Sequence, residues 1–86
     1  MSNQQTFESI LKKIERYAQG KIERSEFALD FIDLIEEIDD LSFSDLDAAK
    51  EWQYQIETHN DSLSPASKET LKNLKRWINQ LMLKYE

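Results

Sequence analysis

Residues 25–49, SEFALDFIDLIEEIDDLSFSDLDAA, decide what this chain can fold into. The stretch contains nine carboxylates and neither lysine nor arginine. Large apolar residues are interleaved with the acids: Phe27, Phe31, Ile32, Leu34, Ile35 and Ile38. At 100° per residue this apolar set covers one side of a helix. The pattern therefore predicts an amphipathic helix with Ser25 as its N-cap and an end near Asp40 or Leu41.

Five of the acids form a stripe opposite the apolar side. They fall at i, i+4, i+7, i+11 and i+14, with Glu36 beside them: Glu26, Asp30, Asp33, Glu37 and Asp40. Like charges at this spacing cost a helix roughly 0.2–0.5 kcal/mol per pair, and acids near its C-terminal end oppose the macrodipole. Residues that destabilise their own helix without a visible compensating contact are typical of functional surfaces. We interpret the stripe as a binding face; the alternative is an ordinary solvated side.

An amphipathic segment before this stretch predicts a first helix over residues 4–19. Ser2 and Gln5 have the spacing of a capping box, with Thr6 as an alternative cap. Gly20 suits the left-handed residue that ends a helix. One face of the segment is apolar: Phe7, Ile10, Leu11, Ile14, Tyr17 and Ala18.

The segment after the acidic helix predicts a third helix over residues 45–58. Ser44 and Asp47 have capping-box spacing, and we expect Phe43 to close the end of the bundle. The inner face consists of Leu46, Ala49, Trp52 and Ile56. Tyr54 projects from the opposite side, either as an interface anchor, since tyrosine is enriched in binding hot spots, or as an ordinary surface residue.

The last helix is predicted over residues 65–84, after a loop at 59–64. Ser64 as N-cap and Pro65 at the first helical position are a strong start signal. The buried stripe consists of Leu71, Leu74, Trp77, Ile78, Leu81, Met82 and Tyr85. One glycine and one proline in 86 residues also favour long helices over strands. The sequence thus predicts an all-α fold, an antiparallel four-helix bundle forming a single domain over residues 1–86.

Composition narrows the classes of function. The net charge of −6 disfavours direct nucleic-acid binding through phosphates and favours a basic partner. There is no cysteine, the N-terminus lacks the regions of a signal peptide, and no apolar run approaches the ~20 residues of a membrane span. We therefore expect a cytoplasmic protein that does not bind membranes.

Catalytic and metal-binding patterns are absent from the sequence. The single histidine, His59, stands in a predicted loop among acidic and polar residues, which disfavours a phosphotransfer role. No Glu-x-x-His pair, EF-hand loop, glycine-rich phosphate loop or Ser-His-Asp set occurs. The expectation is a protein that is not an enzyme and uses no cofactor or metal.

A rigid row of carboxylates is suited to occupying the basic cleft of a nucleic-acid-binding enzyme and to accelerating association with it. The candidate partner-binding residues are Glu26, Asp30, Asp33, Glu36, Glu37, Asp40, Asp45, Asp47 and Tyr54. Asp45 and Asp47 also have a structural interpretation, as anions that stabilise the N-terminus of the third helix.

The chain resembles the immunity proteins of the colicin D type, small helical bundles that neutralise tRNA-cleaving bacterial toxins. Two places carry the resemblance: the link Gly20-Lys21-Ile22 followed by Ser25-Glu26-Phe27, and the run Leu41-Ser42-Phe43-Ser44-Asp45-Leu46-Asp47-Ala48. The resemblance implies a cognate inhibitor whose acids, Asp45 and Asp47 foremost, block the toxin's catalytic and tRNA-binding cleft. The family often has an aromatic residue after the second aspartate of that run, where this chain has Ala48.

The resulting expectation is an immunity protein that binds a basic, tRNase-like nuclease toxin domain as a monomer in a one-to-one complex. Two alternatives remain open on the sequence. One is a nucleic-acid-mimicking inhibitor encoded by a phage against a defence nuclease. The other is a helical adaptor module with no inhibitory role, which predicts a sizeable exposed apolar patch.

Overall fold

The structure is a computed structural model that describes residues 2–58 and 65–85. Within those residues the chain is helical and contains no strand. Its elements, in order, are α1 (Asn3–Ala18), α2 (Arg24–Glu36), α3 (Phe43–Thr58) and α4 (Pro65–Lys84). Helix α1 packs against both α2 and α4, and α2 packs against α3. The all-α four-helix bundle predicted from the sequence is confirmed.

The core lies between the helices and consists mainly of phenylalanine, isoleucine and leucine. Phe27 is fully buried, and its ring stacks on Tyr17 with the centroids 4.6 Å apart and lies 6.2 Å from that of Phe31. Trp52 and Trp77 were expected in the core, but both are only half-buried. Their rings are 6.3 Å apart and join α3 to α4 at the edge of the core.

Helix α1 begins with the predicted capping box. The Gln5 amide donates to Ser2 Oγ at 3.2 Å, and the Ser2 amide donates to Gln5 Oε1, also at 3.2 Å. Gly20 adopts φ +74° after the helix, as predicted. The positive φ places Gly20 in a region that other residues rarely adopt.

Helix α2 differs from the prediction at both ends. Its N-cap is Glu23, which makes no side-chain capping bond, so the expectation that Ser25 caps the helix is wrong. The helix ends at Glu36, several residues before the predicted end. Four acids in the last turn and just after it would oppose the macrodipole of a longer helix. Within the turn that follows, Asp40 has a left-handed backbone with φ +63°. Ile38 is nevertheless buried beneath the turn.

Helix α3 starts two residues earlier than predicted. The Asp45 amide donates to Ser42 Oγ at 3.2 Å, so the cap is Ser42 and the predicted Ser44–Asp47 capping box is wrong. Phe43, expected to close the end of the bundle, is 87% exposed. Because Ser42 is the cap, Phe43 becomes the first helical residue and points outward. The C-terminal end of α3 at Thr58 agrees with the prediction.

Helix α4 has the predicted bounds. The predictions for Ser64 as its N-cap and for His59 in a loop fall outside the described residues. On α4 the buried positions follow the predicted stripe: Leu71, Leu74, Ile78 and Leu81.

Candidate protein-binding face

An exposed row runs along the outer side of α2. Glu26, Leu29, Asp33 and Glu36 follow one another at intervals of three or four residues, and all four are exposed. Leu29, 59% exposed, thus lies among three carboxylates. The row faces away from the core residues of α2 and presents one apolar side chain in an acidic surround.

The acidic surface continues through the turn that connects α2 to α3. Glu37, Asp39 and Asp40 are exposed there, and the Asp39 amide donates to Asn3 Oδ1 at 2.9 Å. The predicted stripe assumed one helix from Glu26 to Asp40, and that assumption is wrong because α2 ends at Glu36. The acids instead pass from a helix face onto a turn that Asn3 holds in place.

Asp30 lies at the edge of α2 that faces α1. Its carboxylate accepts a hydrogen bond from Lys13 Nζ at 3.0 Å, and each side chain is about one-third exposed. Asp30 therefore joins α2 to α1, and its charge is already compensated. Of the sequence-predicted site residues on α2, Glu26, Asp33 and Glu36 are the freely exposed ones.

Asp45 is the centre of a hydrogen-bond network that joins the start of α3 to the end of α4. Lys84 Nζ donates to its carboxylate at 2.8 Å, and both the Tyr85 hydroxyl and Ser42 Oγ also donate to it. The Ser42 amide in turn donates to the Tyr85 hydroxyl at 3.0 Å. The Asp45 side chain is only 16% exposed, so in this structure it links the start of α3 to the end of α4.

The network shifts the pKa values of both charged partners. The hydrogen bond from Lys84, followed by the one from Tyr85, lowers the pKa of Asp45 below its ordinary value, and the same contact with Asp45 raises the pKa of Lys84. A lowered acid pKa stabilises the fold above the ordinary pKa and loses that effect as the pH falls through the lowered value. The raised pKa of Lys84 stabilises the fold at pH values below the ordinary lysine pKa, and this effect is lost as the pH rises through the raised value.

Asp45→Asn should therefore destabilise the protein most between about pH 4 and pH 10, the ordinary pKa values of the two groups being 3.8 and 10.5. The difference from the natural chain should shrink progressively below pH 4, because Asp45 is protonated first in the unfolded chain, and it should be lost below the lowered pKa of Asp45 in the folded protein. Urea unfolding at pH 3, 5 and 7 measures this difference. An equal difference in the free energy of unfolding at all three pH values would show that the charge of Asp45 does not stabilise the fold.

A second exposed row lies on the outer side of α3. Asp47 and Tyr54 are exposed, as the sequence predicted for Tyr54, and Phe43 precedes them by four and eleven residues. At 100° per residue these offsets place all three within about 40° around the helix. Lys50, also exposed, falls in the same row. Phe43, at the start of this row, follows Asp40, the last residue of the acidic turn, by three residues.

Phe43 and Asp39 are surface residues that the sequence did not single out for this face. One signal was available for Phe43: Ser42 and Asp45 have the same capping spacing as Ser44 and Asp47. Choosing the earlier cap moves Phe43 into the first turn of α3. Nothing in the local pattern distinguishes the two caps, because the contact that favours Ser42 comes from Tyr85, 43 residues later.

We define the acidic face as the exposed carboxylates of residues 25–49: Glu26, Asp33, Glu36, Glu37, Asp39, Asp40 and Asp47. Within the described part of the chain, none of these carboxylates has a lysine or arginine nitrogen within 4 Å. The same residues include no group of acids and histidines arranged to hold a metal ion. Helices with the length and apolar character needed to cross a bilayer are likewise absent from residues 2–58 and 65–85.

Positive charge collects on other helices. A groove of about 300 Å³ between α1 and α4 has an apolar floor and a lysine border, and it is lined by Ile14, Ala18, Leu71, Lys68, Lys72 and Lys75. The molecule is therefore electrostatically polarised, with its uncompensated acids on α2, the following turn and the start of α3.

Comparison with protein-family models, curated proteins and solved structures finds no match for this chain.

Proposed function

We propose that this protein is an immunity protein that binds and neutralises a basic nuclease toxin, of the kind that cleaves tRNA. The observation that carries the proposal is the acidic face, whose seven exposed carboxylates have no ion-pair partner in the described structure. A nuclease that binds RNA keeps a basic cleft for phosphates. Carboxylates that occupy this cleft exclude the substrate.

The face also has the rigidity that an inhibitor needs. Three of its acids stand on a helix whose inner side includes the fully buried Phe27 and Phe31, and the turn is held by Asn3. Preformed surfaces lose little conformational entropy on binding. Net charge of opposite sign on the two proteins also raises the association rate, by an amount that falls with salt. We propose that the protein acts in the cytoplasm, as a monomer in a one-to-one complex.

The test is capture of the partner from the native host at low and high salt, with identification by mass spectrometry. The chain has no cysteine, so Asn79→Cys, at an exposed position on α4, provides a single attachment point away from the acidic face. We expect one basic nuclease to be retained, with retention weakened but not lost at high salt. The captured nuclease should lose its RNA-cleaving activity when the free protein is added.

Three outcomes would contradict the proposal: capture of no basic protein, capture that is indifferent to salt, or a retained nuclease that stays active in the complex. A partner held through an apolar contact would favour the adaptor function instead. The gene's position separates the two inhibitor functions, since an immunity gene directly follows its toxin gene and a phage inhibitor lies in a phage operon.

A further inference from the structure

Phe43 is the most exposed large apolar residue in the described structure, at 87%. It occupies the first position of α3, three residues after Asp40 of the acidic turn. A single exposed apolar residue is ordinary. Phe43 differs from Leu83, which is 80% exposed on α4, because of the way its backbone is held and because of what surrounds it.

Hydrogen bonds within α3 and from the end of α4 hold the backbone next to Phe43. Ser42 caps the helix through the Asp45 amide, and the Ser42 amide is bound by the Tyr85 hydroxyl. Asp45 is held in turn by Lys84. The network that joins α3 to α4 therefore holds the backbone next to Phe43 in one position. The phenylalanine ring itself contacts little of the protein.

The outer row of α3 extends this anchor. Phe43 and Tyr54 are eleven residues apart, which corresponds to three helical turns and about 16 Å. Asp47 lies between them and is exposed. Aromatic residues are enriched in protein interfaces, tyrosine is enriched in their hot spots, and polar or charged residues form the rim around them.

We infer that Phe43, with Asp47 and Tyr54, anchors the partner, whereas the acids of α2 chiefly set the rate of association. This inference rests on the proposed function and refines it. The matching surface on the nuclease is an apolar pocket that receives the Phe43 ring and is bordered by lysine or arginine. Burial of an aromatic anchor slows dissociation, whereas charges at the edge of an interface mainly change association and its dependence on salt.

The test measures association and dissociation rates with the nuclease captured by the natural chain. Phe43→Ala should raise the dissociation rate by about 30-fold or more, as expected for a hot-spot residue. Its association rate and its unfolding midpoint should remain unchanged, because the ring is exposed in the free protein. Leu83→Ala is the matched control, with a similarly exposed side chain on another helix, and it should change neither rate.

A gain-of-affinity variant gives an independent readout. Lys50 lies in the same row as Phe43 and Tyr54, where its charge opposes a basic partner. Lys50→Glu should therefore lower the dissociation constant several-fold. Because Lys50→Glu also makes the net charge more negative, which by itself speeds association, only a slower dissociation rate supports the anchor row, and a gain in association alone counts against it.

The outcomes separate this inference from the proposed function. If the natural chain captures no basic nuclease, both are wrong. If it binds and inhibits a nuclease but Phe43→Ala dissociates at the natural rate, the anchor is wrong and the inhibitor function stands. An effect of Phe43→Ala on association alone would also overturn the anchor.

Discussion

Reversing three charges on the outer row of α2, with Glu26→Lys, Asp33→Lys and Glu36→Lys combined, is expected to weaken binding of the partner nuclease by about 100-fold or more. Each substitution turns an attraction into a repulsion, and close charge pairs at interfaces of this kind contribute enough for the three to reach that factor. Most of the loss should appear in the association rate at low salt. The measurement is surface-based kinetics at two salt concentrations.

The folded bundle should tolerate this variant. All three side chains are exposed, and none has an ion pair among the described residues. Glu26 stands in the first turn of α2, where lysine is unfavourable to the helix dipole, and Glu36 stands in the last turn, where lysine is favourable. These two effects oppose each other, so the helical content and the unfolding midpoint should change little.

A matched control separates the acidic face from net charge. Glu8, Glu57 and Glu69 are exposed and lie outside residues 25–49, and replacing all three by lysine also raises the net charge from −6 to zero. This control should bind nearly as well as the natural chain. Equal weakening by both variants would mean that overall charge, rather than the acidic face, determines binding. Full binding by the α2 variant would disprove the proposed function.

The largest expected effect on stability belongs to Phe27→Ala. Phe27 is fully buried and stacks on Tyr17. Truncating a buried phenylalanine typically costs about 3–5 kcal/mol, through lost burial and the cavity that remains. Small domains have a total free energy of unfolding of only about 5–15 kcal/mol. We therefore expect a variant that is largely or partly unfolded at 37 °C, as measured by urea unfolding followed by circular dichroism.

Two companion variants make this prediction specific. Phe27→Leu keeps most of the buried volume and should cost clearly less than Phe27→Ala. Tyr17→Phe keeps the stacked ring and removes a buried hydroxyl that has no hydrogen-bond partner in the described structure. It should leave the free energy of unfolding unchanged or raise it. A small loss for Phe27→Ala would mean that the core of α2 contributes little to the fold.

The helices and their inward faces followed from the sequence because they depend on local periodicity. The 3.6-residue repeat of apolar residues places Phe7, Phe31 and Leu74 inside without reference to other helices, and all three are fully buried. The Ser2–Gln5 capping box and Gly20 were equally local, and both were confirmed. Trp52 and Trp77 were on the predicted faces, but their depth depends on how closely α3 approaches α4.

The predictions that failed have one local and one remote cause. The apolar pattern continues to Ile38, but the acids that follow Ile35 oppose the macrodipole of a longer helix, and α2 stops at Glu36. Ser42 is preferred over Ser44 as the cap because Tyr85 binds the Ser42 amide. That choice turns Phe43 outward and occupies Asp45. The exposure of Glu26, Asp33 and Glu36 on α2 therefore followed from the sequence. The contacts of Ser42 and Asp45 did not, because side chains from the end of α4 determine them.

Asn3 has a consequence for the topology of the chain. Its side-chain amide donates to the Tyr85 carbonyl at 3.1 Å and its carbonyl oxygen accepts from the Asp39 amide, so residues near both ends of the chain meet beside the acidic turn. A bundle with this arrangement is suited to circular permutation. Joining the two ends through a short peptide and opening the chain at residues 20–23, at the opposite end of α2, would preserve the order of packed helices. It would also move the free ends, with any label fused to them, from the acidic turn and Phe43 to the other end of α2.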